Sequence, residues 1–182
     1  MEVMKIPQAE CGNVAETHIK SGKDGIGYIV IESPIAIVHK RTQVDEEVCN
    51  ELGYVVYESY NNGGTILGNS GDIMFSHVAA PLNGWLDRFA FHFTEWLKGK
   101  GLNAEYTDND VLVDGYKVCG LCVTRYGRID FSSGFISLNV NIDHIKAICK
   151  KPMVKVPKGL NDYGITTEEV EQMFLDFCEQ DE

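Results

Sequence analysis

The chain places most of its β-branched and apolar residues in short runs that turn residues separate, and this pattern limits its fold more than any other feature. Such runs occur at 26–31, 35–39, 54–58, 66–67, 73–78, 111–113, 116–126, 128–132 and 134–141. Asp114-Gly115 is a strong turn dipeptide and predicts a β-hairpin between 111–113 and 116–126. The chain must therefore build extensive sheet structure.

Helical spacing of apolar residues is confined to a few segments. It predicts helices that begin near Thr42, span 84–98 and 143–149, and begin at Thr166. Thr42 with Asp45, and Thr166 with Glu169, have capping-box spacing. Helices interspersed among many strands predict an α/β (α+β) fold with a mixed, largely antiparallel sheet covered by helices. We expect a single domain over 1–182, with an irregular lead-in over 1–24.

Charge and hydropathy exclude several classes of function. The net charge of −11 argues against a nucleic-acid partner and against binding to an anionic membrane. No apolar run approaches the roughly 20 residues that cross a bilayer, and the N-terminus has no signal-peptide core. We therefore expect a soluble, cytoplasmic protein. One basic cluster, either a solvated face or an anion-attracting rim near a site, comprises Lys146, Lys150, Lys151, Lys155 and Lys158.

Six cysteines are too few for a secreted disulfide scaffold of this length. Cys119 and Cys122 form a C-x-x-C within a predicted strand, where residues three apart point to opposite faces. A zinc site would need a second pair or nearby histidines at finger spacing, and neither follows. The pair is either two strand thiols or a redox or metal pair.

Two segments carry the residues from which a site is predicted. In Asn61-Asn62-Gly63-Gly64-Thr65, adjacent glycines let a ligand approach the backbone, whose N–H groups bind anionic oxygens; a plain turn is the alternative. In the second segment, 109–120, Lys117 lies just past the hairpin turn at the start of an apolar strand. It is either a surface residue or a cation inside a cleft.

Together these segments resemble the catalytic domain shared by lipoate–protein ligases, octanoyltransferases and biotin–protein ligases. Residues 58–76 resemble the ligase signature of paired arginines, Ser-Gly-Gly-Gly, a short apolar stretch and a Gly-Asn turn. Residues 109–120 resemble the Asn-Asp…Gly-x-Lys-(Ile/Val)-x-Gly hairpin, and 134–141, which contain Leu138-Asn139-Val140-Asn141, resemble the strand that closes it. The order and intervals fit across 30–165.

The resemblance implies an enzyme that attaches lipoate or a related acyl group to a lysine of a lipoyl or biotinyl carrier domain through an acyl-adenylate. Lys117 would be the central catalytic cation, and ATP with Mg²⁺ would be required. The Gly63-Gly64 turn would back the acyl chain and the adenylate, and Asp110 would help to hold Mg²⁺. The predicted substrate-binding set is Asn61, Asn62, Gly63, Gly64, Thr65, Asn69, Asp72 and Gly120.

The chain departs from the ligase signature, and two alternatives stay open. Glu58 and Ser59 stand where the ligases have paired arginines, and Gly68 stands in place of a histidine. One alternative is an octanoyl or lipoyl transferase of the ATP-independent kind, which uses no cofactor, takes its acyl group from an acyl carrier protein, and works through a thioester on Cys149 paired with Lys117. The other is a catalytically degenerate binding protein on the same scaffold.

Overall fold

The computed structural model describes residues 3–10, 25–59, 64–79, 84–126 and 129–180. Its strands are β1 (Val3–Lys5), β2 (Gly25–Val30), β3 (Ile35–Val38), β4 (Val55–Glu58), β5 (Ile66–Gly68), β6 (Ile73–Ala79), β7 (Ala104–Thr107), β8 (Asp110–Val113), β9 (Tyr116–Tyr126) and β10 (Ile129–Ile136). Its α-helices are α1 (Glu46–Glu51), α2 (Trp85–Gly99), α3 (Ile142–Ile148) and α4 (Thr167–Gln180).

The described strands form a large sheet and a small sheet. The large sheet has seven strands in the order β1-β2-β6-β10-β9-β8-β7, and only the β1–β2 pair is parallel. The small sheet has the order β4-β3-β5, with β3 parallel to β4 and antiparallel to β5. The predicted mixed, largely antiparallel architecture is therefore confirmed.

The two faces of the large sheet have different partners. Helices α2 and α4 cover one face, where the ring of Phe75 on β6 lies 4.6 Å from that of Phe89 and 5.1 Å from that of Phe174. The other face meets the small sheet through an isoleucine core that includes Ile29, Ile35 and Ile37. Helices α1 and α3 pack on the outer side of the small sheet. The resulting layers leave space between the two sheets.

The helix predicted from Thr42 begins later than expected. Residues Arg41–Gln43 form a 3₁₀ turn, and α1 begins after Asp45. The Asp45 carboxylate accepts from the backbone N–H groups of Glu47 and Val48, so Asp45 is itself the N-cap. At α4 the predicted capping box is present, because Thr166 and Glu169 each accept the other's backbone N–H.

The predicted strands 128–132 and 134–141 are a single strand that ends early, at Ile136. The backbone N–H groups of Leu138 and Asn139 donate instead to the buried carboxylate of Asp72, at 2.6 and 2.8 Å. These bonds draw the chain away from the ladder, and Asn141 then caps α3. The expectation of a strand over 138–141 was therefore wrong.

Two short strands were not predicted. The lead-in expected to be irregular over 1–24 contains β1 and a 3₁₀ turn at Gln8–Glu10, and residues 11–24 lie outside the described part. Strand β7 was missed because Ala104–Thr107 carries only one buried side chain. Within the described ranges, no helix is both long and apolar enough to span a membrane.

Candidate active site

The space between the two sheets is a cavity of about 930 Å³. The large sheet contributes Met74 and Phe135 to its lining, and the small sheet contributes Ile37 and Ile66. The segment after α3 supplies a third wall, which includes Lys151–Lys155. The cavity is therefore mostly apolar at its flanks, with charged groups at the end where β8, β9 and the third wall meet.

Two tight turns place Asp110 opposite Gly120. Asp108 and Asn109 both have positive φ, of 51° and 62°, and turn β7 into β8; Asp114 and Gly115, at 51° and 79°, turn β8 into β9. Paired positive φ values are typical of type I′ hairpin turns, and Asn, Asp and Gly tolerate them. Asp110, which pairs with Gly120, is thus the first residue of β8 and faces the cavity.

A β-bulge brings Lys117 to the same face as Gly120. The register runs from Val111 opposite Cys119 directly to Leu112 opposite Lys117, so Val118 is an extra residue on β9. In a regular strand, residues three apart point to opposite faces. The bulge reverses that relation for Lys117 and Gly120, and both line the cavity.

The Lys117 ammonium lies over Gly120 and beside Asp110. Its Nζ is 2.8 Å from Asp110 Oδ1, and a Cβ added at residue 120 would lie 2.8 Å from that same Nζ. Because Gly120 has no side chain, the ammonium can lie against the strand backbone. The side chain of Lys117 is 37% exposed, so it is accessible from the cavity while its charge is paired.

A second lysine, which sequence reasoning did not select, binds the same carboxylate. Lys155 Nζ lies 2.9 Å from Asp110 Oδ2, and this hydrogen bond raises the pKa of Lys155. Two backbone hydrogen bonds, from Lys117 N–H to Val156 O and from Lys158 N–H to Lys117 O, hold the segment that carries Lys155 against β9. Asp108 Oδ2 lies 3.8 Å from Lys155 Nζ, so two ammonium groups and two carboxylates meet at this end of the cavity.

Only part of the basic cluster predicted from the sequence lies at the cavity, and the rest lies elsewhere. Lys151 and Lys155 line the cavity, whereas Lys146, Lys150 and Lys158 lie outside its lining. The ammonium of Lys158 lies 4.2 Å from the centre of the Tyr163 ring. The only sequence signal for Lys155 was its membership of this cluster, and its contact with Asp110 depends on the fold.

Part of the glycine-rich segment lies in the cavity. Gly64 and Thr65 line it, while Asn61, Asn62 and Gly63 lie outside the described residues. Glu58, which stands in place of an arginine, is exposed and lies 3.5 Å from the Nε atom of Arg41. The fold thus sets an arginine beside this glutamate, although that arginine is also paired with Glu46.

Asn69 and Asp72 lie outside the cavity lining and bind other parts of the chain. Asp72 is fully buried and accepts from the N–H of Asn69 as well as from those of residues 138 and 139. Burial raises the pKa of its carboxyl to about 7, against the effect of these three donors. The side-chain oxygen of Asn69 accepts from Tyr54, and its amide donates to Asn139 O. Both residues therefore support the turn between β5 and β6.

The cysteines differ in their relation to the cavity. Cys149 lines it, but burial and the neighbouring Cys49 raise the pKa of its thiol. Cys119 is buried on the helix-covered side, where burial raises its thiol pKa, whereas Cys122 lines the cavity. The C-x-x-C pair therefore points to opposite faces of β9.

In the described part of the chain, no group of three or more His, Cys, Asp or Glu residues is placed to hold a metal ion. The carboxylates Asp108 and Asp110 line the cavity and are the candidates for binding a cation there.

The chain is similar to known lipoate ligases. Residues 14–176 match the family described as the lipoyl protein ligase A/B catalytic domain. A curated lipoate-protein ligase, LplJ of Bacillus subtilis (strain 168), is 29% identical over 161 residues, which are 80% of this chain and 46% of that protein. The chain therefore spans about half the length of this relative.

Solved structures share the fold at low sequence identity. A putative lipoate protein ligase from Thermoplasma acidophilum with bound lipoic acid has a TM-score of 0.80 at 15% identity, covering 98% of this chain and 84% of that one. A lipoate-protein ligase A bound with ATP has a TM-score of 0.79 at 16% identity and the same coverages. A biotin protein ligase from Aquifex aeolicus has a TM-score of 0.58 at 13% identity, covering 99% and 69%. Since the family match covers most of the sequence, the chain belongs to the lipoyl protein ligase A/B catalytic domain family.

Proposed function

We propose that this chain attaches lipoate or a related acyl group to a lysine of a lipoyl carrier domain through an acyl-adenylate. The observation that carries the proposal is the position of Lys117, whose ammonium lies over Gly120 in the cavity between the sheets. Family membership and the lipoate ligases that share the fold support the reaction class.

In the first step, a carboxylate oxygen of the acid bonds to the α-phosphorus of ATP, and pyrophosphate leaves. The reaction passes through a crowded anionic centre, which a fixed ammonium and backbone N–H groups stabilise. Lys117 is suited to this role, because Asp110 and the bulge hold its Nζ at the charged end of the cavity. Lys155 and Lys151 add positive charge there.

Asp110, with Asp108 beside it in the lining, would hold Mg²⁺. Mg²⁺ commonly uses one or two carboxylates together with substrate phosphates. Both oxygens of Asp110 are paired with lysines, so the exposed carboxylate of Asp108 would be the more accessible of the two donors. When bound, Mg²⁺ would neutralise phosphate charge. A lipoate ligase solved with ATP supports the use of ATP.

In the second step, the amine of the carrier lysine attacks the acyl carbonyl, the amide forms and AMP leaves. A bi-partite lipoate protein ligase from T. acidophilum, described together with its E2 lipoyl domain, shares this fold and supports a lipoyl domain as the acceptor. We extend that partner class to this chain as part of the proposal.

The test is ATP–pyrophosphate exchange with lipoate, octanoate or biotin, comparing Lys117→Ala with Lys98→Ala. Lys98 is a surface residue on α2, paired with Glu95 and outside the cavity lining. We expect Lys117→Ala to lower exchange by about 10²- to 10³-fold, because one fixed charge-stabilising donor is lost, while folding survives. Retained turnover in Lys117→Ala would rule out the assigned role.

The two alternatives give different results in the same protein. The raised pKa of the Cys149 thiol disfavours a thiolate nucleophile near neutral pH. A hydroxylamine-sensitive acyl adduct on Cys149, seen by intact mass after incubation with an octanoyl carrier protein, would nevertheless establish the transferase. Absence of both exchange and adduct would favour a binding protein without catalysis.

A further inference from the structure

A row of small polar side chains crosses the cavity face of the large sheet. The strand register places Gly27 opposite Ser76, Ser76 opposite Ser133, and Ser133 opposite Cys122. Residues directly opposite each other share a face. The row therefore runs over β2, β6, β10 and β9, and Ser76, Ser133 and Cys122 all line the cavity.

Mainly apolar rows lie on both sides of this polar row, although Gly120 and Thr124 stand at their β9 ends. Towards Lys117, the next row on the same face contains Met74, Phe135 and Gly120. On the far side, Val78 is opposite Phe131. Successive rows on one face are two residues, or about 7 Å, apart. The polar row is thus the row next to that of Gly120, and Ser76 lies two strands across the sheet from Gly120, beyond Phe135 and beside Met74.

Ser76 has hydrogen-bonding capacity that the described residues do not use. The residue is only 6% exposed, and its Oγ has no hydrogen-bond partner among them. Buried hydroxyl groups are nearly always hydrogen-bonded, because leaving one unpaired is costly. Since Ser76 lines the cavity, a ligand group can satisfy it. The sulfur of Cys122, opposite Ser133 and 4.0 Å from Thr124 Oγ1, adds a polarisable contact to the row.

We propose that Ser76, Ser133 and Cys122 form a subsite for the far end of the acyl substrate, an inference that rests on the proposed function. With the carboxylate at Lys117, an extended chain crosses Met74 and Phe135, and its far end meets the polar row. The subsite selects a carboxylic acid whose far end carries a hydrogen-bond acceptor, such as a disulfide ring or a ureido group. A plain alkyl end leaves the Ser76 hydroxyl unpaired.

The experiment compares kcat/KM for lipoate, biotin and octanoate in the unmodified protein, Ser76→Ala and Cys122→Ala. Met74→Leu is the control, because it alters the shape of the same cavity without changing its polarity and should affect all three acids alike. We expect the unmodified protein to prefer lipoate or biotin to octanoate. Ser76→Ala should lower that preference by about 3- to 10-fold, the value of one hydrogen bond, with octanoate turnover little changed.

An unchanged preference in Ser76→Ala, or an unmodified protein that prefers octanoate, would overturn the subsite. If the unmodified protein turns over none of the acids, the proposed catalysis fails, and calorimetric binding of the acids then decides the subsite by itself. Binding of lipoate or biotin that weakens relative to octanoate in Ser76→Ala supports it. Equal weakening, or no binding of any acid, contradicts it.

Discussion

Lys117 and Gly120 depend on each other, because the lysine side chain occupies the volume that any side chain at residue 120 would need. A Cβ there would come within 2.8 Å of both Cε and Nζ of Lys117. These atoms are the mobile end of a flexible side chain, so the conflict is relieved by moving the ammonium rather than the backbone. The consequence falls on the site and not on the stability of the sheet.

Gly120→Ala is therefore expected to fold normally and to lose activity. Displacing a catalytic group by about 1 Å costs up to 10²-fold in rate, so pyrophosphate exchange should fall by about 10- to 100-fold. Gly99→Ala is the matched control, because Gly99 has no atom within 4 Å of an added Cβ. Wild-type exchange rates in Gly120→Ala would show that the position of the ammonium is not critical.

At the scale of elements, the Asp72 carboxylate links two separate stretches of backbone. It accepts from the N–H of Asn69 after β5, and from the N–H groups of Leu138 and Asn139 after β10. It thereby ends β10 and directs the chain into α3.

Asp72→Asn should destabilise the protein by about 1–3 kcal/mol, because the amide NH₂ would face a backbone N–H and leave it unpaired in the interior. Urea unfolding at constant pH measures the change. Asp162→Asn, at an exposed position, should alter the free energy of unfolding by less than about 0.5 kcal/mol. Equal stability of the two variants would contradict this structural role for Asp72.

At the scale of the whole molecule, Glu171 on α4 joins the helical layer to the large sheet. It accepts a hydrogen bond from Tyr28 Oη at 2.9 Å and forms an ion pair with Lys5 at 2.7 Å. Burial, together with the hydrogen bond to Glu171, raises the pKa of Tyr28 to about 12. The neutral phenol is therefore the form that the folded state favours.

This raised pKa predicts a loss of stability in alkaline solution. Between pH 10 and about 12 the unfolded chain ionises Tyr28 and the folded protein does not, so the unfolded state binds fewer protons. The free energy of unfolding should fall in this window by up to about 1.4 kcal/mol per pH unit, and the contribution is fully present below pH 10. Tyr28→Phe should remove this part of the slope in urea titrations at several pH values. An identical slope in that variant would contradict the assignment.

The local pattern of residues was sufficient to predict most of the elements. The strand runs, the hairpin turn at Asp114-Gly115 and the capping box at Thr166 depend on neighbours in the sequence, and the structure confirms them. The resemblance of 109–120 to ligase hairpins likewise selected Lys117, Gly120 and Asp110, which lie together in one cavity. The errors were the missed strands β1 and β7, the late start of α1, and the early end of β10 at Ile136, where a distant carboxylate competes with the ladder.

By itself, the amino-acid sequence determined the mixed sheet, because turn chemistry and apolar periodicity act over a few residues, and its motifs indicated the family and the lysine of the candidate site. Only the tertiary structure decided which face that lysine occupies, since the answer depends on a bulge in the pairing of β9 with β8. It alone brought Lys155 to Asp110 and aligned Ser76, Ser133 and Cys122 in one row. These contacts join residues far apart in the chain, and sheet register rather than local propensity sets them.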